Sequence, residues 1–380
     1  MINPENIPPE VFLALPVRKL GLTDKKFSPD RGPKMFQTTE GPLVFQKRSV
    51  SAEIIEPDGT PAAKPVEIRI DPVSDRSCRI TFARAREAAG EAAFPPPPGA
   101  ADKTSCPFCR PQLFERTPGL VPGLSPSPRL EYGESVLFPN LFPYGRYSAV
   151  SVFDHRHFVE IGTASPASYA DCFINCANYL KKVRETDHQA VYLAITQNHL
   201  PSAGGSLIHP HLQAHADRIP ANFPRFLEQR AAAYYQKNGR QLFSDYLAHE
   251  RADKTRLIGR TGAWHWLAAF APEGFYEIWA LLPGLVSLRE MDENQWRDLA
   301  AGIIKVQKFY RSLNHNGYNL GLLAVEQEDS QLELRLRMLV RSNFDQWTRN
   351  DHTGFEVMLG DMATFIPPEQ TAAMARKFWP

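Results

Sequence analysis

The sequence predicts an α+β fold made of two pseudo-symmetric halves, each an antiparallel sheet with a packed helix. Three observations carry that prediction. A strand–helix–strand–strand order occupies residues 136–216 and returns at 266–341, matching in pattern rather than in residue identity. Each copy holds one long segment of helical period, near 165–187 and 291–314. Short apolar segments bounded by Gly, Pro and Asn surround both helices, as strands do. With 380 residues and 43% hydrophobic composition, the chain is long and apolar enough to bury cores for both halves.

Along the chain, residues 1–35 are rich in Pro and Lys, lack a period, and read as an irregular arm. The first half is expected over 36–220 and the second, degenerate one over 221–380. From "GPLVFQKRSV" to "CRITFARA" short alternating segments predict strands. "AAFPPPPGAADKTS" (92–105) is a polyproline loop that delivers the chain to "CPFC", and a second Pro/Gly-rich loop runs from 110 to 130. "ESVLFPNLFPY" ends in turn residues and "YSAVSVFDH" is a strand. "SPASYADCFINCANYLKKVRETD" opens on Ser-Pro and continues with Tyr169, Cys172, Cys176 and Leu180 on one side, which predicts a helix and places both cysteines in a core. "AVYLAITQN" and "SLIHPHLQAHA" are strands, and 222–250 is a helical connector. The second copy supplies "HWLAAFAPEGFYEIWALLP", the periodic helix "MDENQWRDLAAGIIKVQKFYRSLN", and the strands "GYNLGLLAV" and "LELRLRMLV".

The bulk numbers exclude some partners. Forty-three basic and 42 acidic residues leave a net charge of +1, so neither nucleic acid nor a membrane surface has an electrostatic claim on the chain. No apolar run reaches a membrane span, the first residues lack a secretory layout, and five cysteines do not make a disulfide framework. A cytoplasmic location is expected.

The chemistry concentrates in "AGGSLIHPHLQAHAD" (203–217). On a strand, alternate side chains share a face, so His209, His211, Gln213 and His215 would line one surface. Pro210 cannot donate to a ladder, which predicts an edge or distorted strand. Gly204, Gly205 and Ser206 let backbone approach a bulky ligand. A neutral imidazole is a competent nucleophile near neutral pH, and the Gln213 amide can hold a phosphoryl oxygen as charge builds on it. Cys106 and Cys109 form a C-x-x-C that suits either half of a tetrahedral zinc site or a redox pair. His155 and His209 can complete a Cys-Cys-His-His set; the metal would then anchor the strand that carries His211. His157, His188, His249, His315 and His352 stand in polar contexts and read as surface residues.

Taken together, "CPFC", "LFPNLFPY", "FDH", "QNHLPSAGGSLIHPHLQ" and "GFEV" resemble galactose-1-phosphate uridylyltransferase and its relatives in the histidine-triad superfamily, over roughly residues 100–360. The resemblance implies two histidine-triad-like halves and a covalent nucleotidyl intermediate on His211. Gln213 then binds the transferred phosphoryl group. Gly204, Gly205 and Ser206 belong to the phosphate loop, and Asn198 binds nucleotide at its start. Phe138 and Asn140 contact base and ribose, and Phe108 contacts the base. Glu356 contacts sugar, and Cys106, Cys109, His155 and His209 bind zinc. Several positions depart from the family. Arg335 and Arg337 stand where a second-half H-x-H would bind a further metal, and Leu323 replaces another histidine. Phe355 replaces a Tyr, while Asn350 and Met362 fall where sugar-contacting Lys and Gln would be. The "AGGS" turn is nearer to ADP-glucose phosphorylase and dinucleoside polyphosphate phosphorylases.

These features predict a nucleotidyltransferase that moves a nucleoside monophosphate from a nucleotide sugar to a sugar 1-phosphate by ping-pong exchange. The alternative is a phosphorylase of a nucleotide sugar or dinucleoside polyphosphate with inorganic phosphate as acceptor. A zinc-stabilised nucleotide-binding module without turnover is the third reading. The partners are accordingly a nucleoside di- or polyphosphate and a phosphorylated acceptor, and the family implies a homodimer.

Overall fold

The computed structural model describes residues 34–38, the backbone only, with 42–82, 95–343 and 351–380. The predicted arm, except its last two residues, and Asn350 lie outside them. Residues 35–380 form one compact unit.

In chain order the elements begin with β1 (Lys34–Thr38), β2 (Phe45–Ile55), β3 (Pro61–Ile70), β4 (Ser77–Ile80) and the short α1 (Gln112–Arg116). The first repeat is β5 (Leu130–Tyr132), β6 (Ser135–Pro139), β7 (Tyr147–Val152), α2 (Pro166–Thr186), β8 (Tyr192–His199) and β9 (His211–Asp217). A connector of α3 (Asn222–Asn238) and α4 (Leu242–Asp253) follows, broken at Gly239. The second repeat is β10 (Leu257–Thr261), β11 (Trp264–Ala268), β12 (Ile278–Leu282), α5 (Glu293–Ser312), β13 (Gly317–Val325) and β14 (Leu334–Arg341). The chain closes with α6 (Gly354–Leu359), β15 (Met362–Thr364) and α7 (Pro368–Ala375).

Both repeats contribute to one ten-stranded sheet ordered β10-β11-β12-β14-β13-β8-β9-β7-β6-β5. Read from either edge, equivalent strands come in the same order. The seam is the antiparallel pair β8–β13, with Asn198 opposite Asn319 and Thr196 opposite Gly321. The fold is α+β, with the two halves joined edge to edge.

The two long helices start where their caps permit. Ser165 Oγ accepts from Ala167 N at 3.2 Å, and Pro166 occupies the first turn of α2, where no donor is missed. At α5, Asp292 and Gln295 exchange hydrogen bonds of 2.8 and 2.9 Å in a capping box. Both helices cover the same face. Tyr169, Cys172, Cys176 and Leu180 of α2 are buried with Trp296, Leu299, Ile303 and Phe309 of α5 against Ile195, Leu212, Leu322 and Leu336 of the sheet. Phe173 and Trp296 stack at 5.7 Å between the helices.

The other face is covered in two places. Over the second half, Leu267, Trp279, Leu281 and Val325 meet Leu242, Phe243, Tyr246 and Leu247 of α4, together with Leu43, Phe45, Val73, Cys78 and Ile80. Strand β4 also pairs in parallel with β15 near the C-terminus. Residues 42–80 were expected in the first half, but they pack on the second, because their apolar face completes the α4 core. Buried Arg69 and Arg256 both reach Glu369 of α7, at 2.8 to 3.0 Å, and Arg256 also reaches the fully buried Glu250 at 2.9 Å. Over the first half, Leu113 and Phe108 cover Val136, Phe138, Val150 and Val152. Between these covers Ala194, Thr196, Asn198, Gln213, His215, Asn319, Gly321 and Leu323 remain partly exposed. They line a groove across the seam. Among the described residues no helix is long and apolar enough to cross a membrane.

Candidate active site and metal centre

Strand β9 begins at His211, one residue after Pro210. Proline therefore precedes the ladder instead of interrupting it. The strand is central, paired with β7 on one side and β8 on the other, which corrects the expectation of an edge. His209 accordingly lies outside the strand, and its side chain turns into a buried cluster.

That cluster comprises Cys106, Cys109, His157 and His209, whose ligand atoms all lie within 4.8 Å of one another. His209 Nδ1 is 3.7 Å from Cys106 Sγ and 3.6 Å from Cys109 Sγ, and His157 Nδ1 is 3.3 Å from Cys109 Sγ. Tetrahedral zinc with ordinary bond lengths puts S and N ligands about 3.5 Å apart, so the donor set and its spacing fit that ion. The ring orientations fit as well. His209 Nε2 donates to Asp154 O at 3.1 Å and His157 Nε2 donates to Gly99 O at 3.0 Å. Since carbonyls only accept, Nε2 carries a proton in both rings, and Nδ1 is the nitrogen turned toward the thiols. Burial also lowers the His209 pKa to about 4, which keeps the ring neutral.

His155 is not in this cluster. Its side chain is 72% exposed, with Nδ1 3.4 Å from Glu134 Oε2. After β7, Asp154 pairs with Arg156 at 2.5 Å, and the chain turns His155 outward and His157, 5% exposed, inward. Spacing alone did not separate two histidines two residues apart. Of the other histidines read as surface residues, His188 and His352 are exposed and His315 is half-buried. His249 is buried and stacked on Phe45 at 3.7 Å.

His209 also governs its neighbour. Its backbone carbonyl accepts from His211 Nδ1 at 2.8 Å, so Nδ1 carries the proton and Nε2 of His211 keeps a lone pair. Burial lowers the His211 pKa, against the opposing hydrogen bond, and favours the neutral ring. The Phe108 ring stands edge-on to His211 at 5.3 Å and to Phe138 at 5.3 Å. Phe138 is 2% exposed, so it supports Phe108 and offers no face to a base. Asn140 follows β6, its N–H bound to Ser148 O at 2.9 Å and its Oδ1 accepting from Phe142 N at 3.1 Å.

Gln213 lies two residues beyond His211 on the same face, opposite Thr196 of β8 and Val150 of β7. A tight turn after β8 leads to Ser206, which is exposed. Its backbone bonds run from Ala203 N to Leu200 O at 3.0 Å, Gly204 N to Pro201 O at 2.9 Å, and Gly205 N to Leu200 O at 3.1 Å. Gly204 has φ +87°, and a Cβ on Gly205 would stand 2.9 Å from Asn198 O. Gly205→Ala is therefore expected to destabilise the protein by about 1–3 kcal/mol; unchanged denaturant unfolding would show that the turn absorbs the methyl group.

Other expected residues take structural places. Glu356 caps α6 by accepting from Thr353 N at 2.7 Å. Met362 is buried in β15, and Phe355 lies under Arg79 at 5.7 Å. Arg335 is 5% exposed and stacks over Trp279 at 4.3 Å, while Arg337 pairs with Glu277 at 2.7 Å. With Asn319 and Gly321 they line a cavity of about 210 Å³. A larger cavity of about 650 Å³ is lined by Thr196, His215, Tyr147, Tyr192, Phe223 and Leu323; neither His211 nor Gln213 is in its wall. Sequence reasoning missed His157, which it read as a surface residue.

The mirrored sheet and its helix pair define the class by fold alone: the chain shares the architecture of an ADP-glucose phosphorylase and of a uridylyltransferase. An ADP-glucose phosphorylase from Arabidopsis thaliana, solved with bound ADP-glucose, superposes with a TM-score of 0.63 at 20% identity, covering 82% of this chain and 98% of that one. In sequence, an uncharacterized protein of Archaeoglobus fulgidus is 27% identical over 339 residues, 89% of this chain and 99% of its own length. Galactose-1-phosphate uridylyltransferase of Haemophilus influenzae is 26% identical over 207 residues, 52% of this chain and 58% of its own length. No protein-family model matches the chain.

Proposed function

We propose that the protein is a nucleotidyltransferase in which His211 Nε2 attacks the α-phosphorus of a nucleotide-activated donor. The observation that carries this reading is the His211 Nδ1–H bond to the His209 carbonyl, which leaves Nε2 as the free lone pair on the groove face beside Gln213. The attack forms a nitrogen–phosphorus bond and expels the phosphate-bearing remainder of the donor. An acceptor phosphate oxygen then displaces His211 from the same phosphorus. Gln213 and the turn at 204–206 stabilise the anionic centre in both steps. Phe108 presents an aromatic edge for the base, with Asn140 and Asn198 contributing polar contacts to the nucleotide.

Cys106, Cys109, His157 and His209 would hold zinc. There the ion would be structural, fixing the His209 backbone that orients His211. His157→Ala is expected to weaken zinc binding about a hundredfold or more, while His155→Ala leaves it unchanged. Metal analysis after competition with a chelator checks this; zinc loss in the His155 variant instead would return that residue to the ligand set.

Two acceptors divide the reading. The cavity of about 650 Å³ that reaches the groove face at Thr196 and His215 has room for a hexose phosphate or the sugar of a donor. Glu356, the one expected hexose contact, is engaged as a helix cap, and Met362 stands buried where the family has a sugar-contacting Gln, which favours a phosphorylase using inorganic phosphate. Incubation with UDP-glucose or ADP-glucose should add one nucleoside monophosphate to the protein, read by intact mass. The labelled protein is then offered glucose 1-phosphate, galactose 1-phosphate or inorganic phosphate. Discharge by inorganic phosphate alone identifies the phosphorylase, discharge by a hexose phosphate identifies the transferase, and absence of label with every donor defeats both.

A further inference from the structure

We propose that Asn319, in the second half, is a positioning residue for the first half's site: it fixes which atom of Asn198 faces the nucleotide and pins the turn before Ser206. The proposal rests on the reading of His211 as nucleophile.

The hydrogen bonds around Asn319 leave one orientation of its amide. Arg341 Nη1 lies 2.8 Å from Asn319 Oδ1, and a guanidinium can only donate. The oxygen is therefore on that side and the nitrogen on the other. Arg341 is itself held by Asp351 through bonds of 2.6 and 3.1 Å. Asn319 Nδ2 donates to Asn198 Oδ1 at 2.7 Å and to Ala203 O at 2.9 Å. Ala203 O can only accept, so it confirms the same orientation from an independent partner.

This sets the polarity of Asn198. Its Oδ1 is occupied by Asn319, so its Nδ2 is left to donate, and no acceptor for it occurs among the described residues. Asn198 and Asn319 are direct cross-strand partners at the β8–β13 seam, on the groove face, two residues along β8 from Thr196 opposite Gln213. The Ala203 carbonyl precedes Gly204, Gly205 and Ser206, so the same amide also holds the turn at its entry. The second half thus supplies the orientation of a donor. An anionic donor molecule meets an N–H from Asn198 instead of a carbonyl oxygen.

Asn319→Asp tests this. It keeps the size and the Arg341 pairing but replaces the donating nitrogen with an oxygen. Asn198 must then flip its amide to pair, turning its own oxygen toward the nucleotide. Single-turnover labelling of His211 should slow about tenfold to a hundredfold, with most of the change in donor affinity. Asn319→Ala, which adds no charge, should also slow labelling and serves if the aspartate variant does not fold. Each substitution is repeated on Asn198→Ala. If Asn319 acts through Asn198, its effect shrinks there; fully additive effects overturn the proposal. Labelling of the folded Asn319 variants at the wild-type rate and affinity also overturns it, while the nucleophile reading stands. If the wild-type chain takes no label from any donor, the nucleophile reading has failed, and the positioning role fails with it.

Discussion

Replacing His211 with asparagine is expected to abolish the nucleotidyl adduct while the protein stays folded. In the proposed reaction the imidazole forms the bond to phosphorus, and an amide nitrogen has no available lone pair for that attack. The rate of labelling should fall about a thousandfold or more, as losses of a covalent nucleophile do. The fold should survive because His211 is held in β9 by backbone pairing to Val152 of β7, not by its ring. The asparagine amide can still donate to the His209 carbonyl, so the strand start keeps its local hydrogen bond. Intact mass after incubation with donor reads the adduct, and thermal unfolding reads the fold. An adduct that persists on the variant would remove His211 from the nucleophile role. An adduct lost only together with the fold would be uninformative for asparagine, and His211→Gln then serves as the second variant.

The second large effect is expected at Cys109. Its sulfur is within 3.3 Å of His157 Nδ1 and 3.6 Å of His209 Nδ1, so it faces both imidazoles of the cluster. Serine in its place offers a hard hydroxyl that does not ionise near neutral pH, a poor replacement for thiolate on zinc. Bound zinc should fall to background, and stability should drop on the order of 3–5 kcal/mol, since metal-binding energy at such a site is folding energy. Labelling of His211 should fall too, because the His209 carbonyl that sets its tautomer is held through the same cluster. Stripping zinc from the wild-type chain with a chelator should reproduce both changes. Wild-type protein purified without any zinc, and indifferent to chelator, would refute the four-ligand centre.

The repeat was legible because its cause is local. Ser165-Pro166 and Asp292 with Gln295 announce helix starts through bonds that span three residues or fewer. Alternation on β8 and β9 announces strands for the same reason. His211, Gln213 and the glycine turn could be placed on one surface from spacing alone, since they lie within one short run of chain. The register of that run was harder. Pro210 reads as a defect in a strand until the partner strands show that the ladder starts one residue later.

His155 against His157, the packing of residues 42–80 on the second half, and the amide of Asn319 depended on neighbours distant in sequence. Each turns on a partner brought by folding: Gly99 O for His157, the α4 core for the N-terminal strands, Arg341 and Ala203 for Asn319. By itself the sequence determined the two-half architecture, the cysteine pair and the histidine–glutamine face, because short-range periodicity and capping are written in adjacent residues. Tertiary structure alone decided which imidazole joins the thiols, which ring nitrogen of His211 is free, and which atom Asn198 presents, because a donor or acceptor takes its orientation from whatever group the fold sets opposite it.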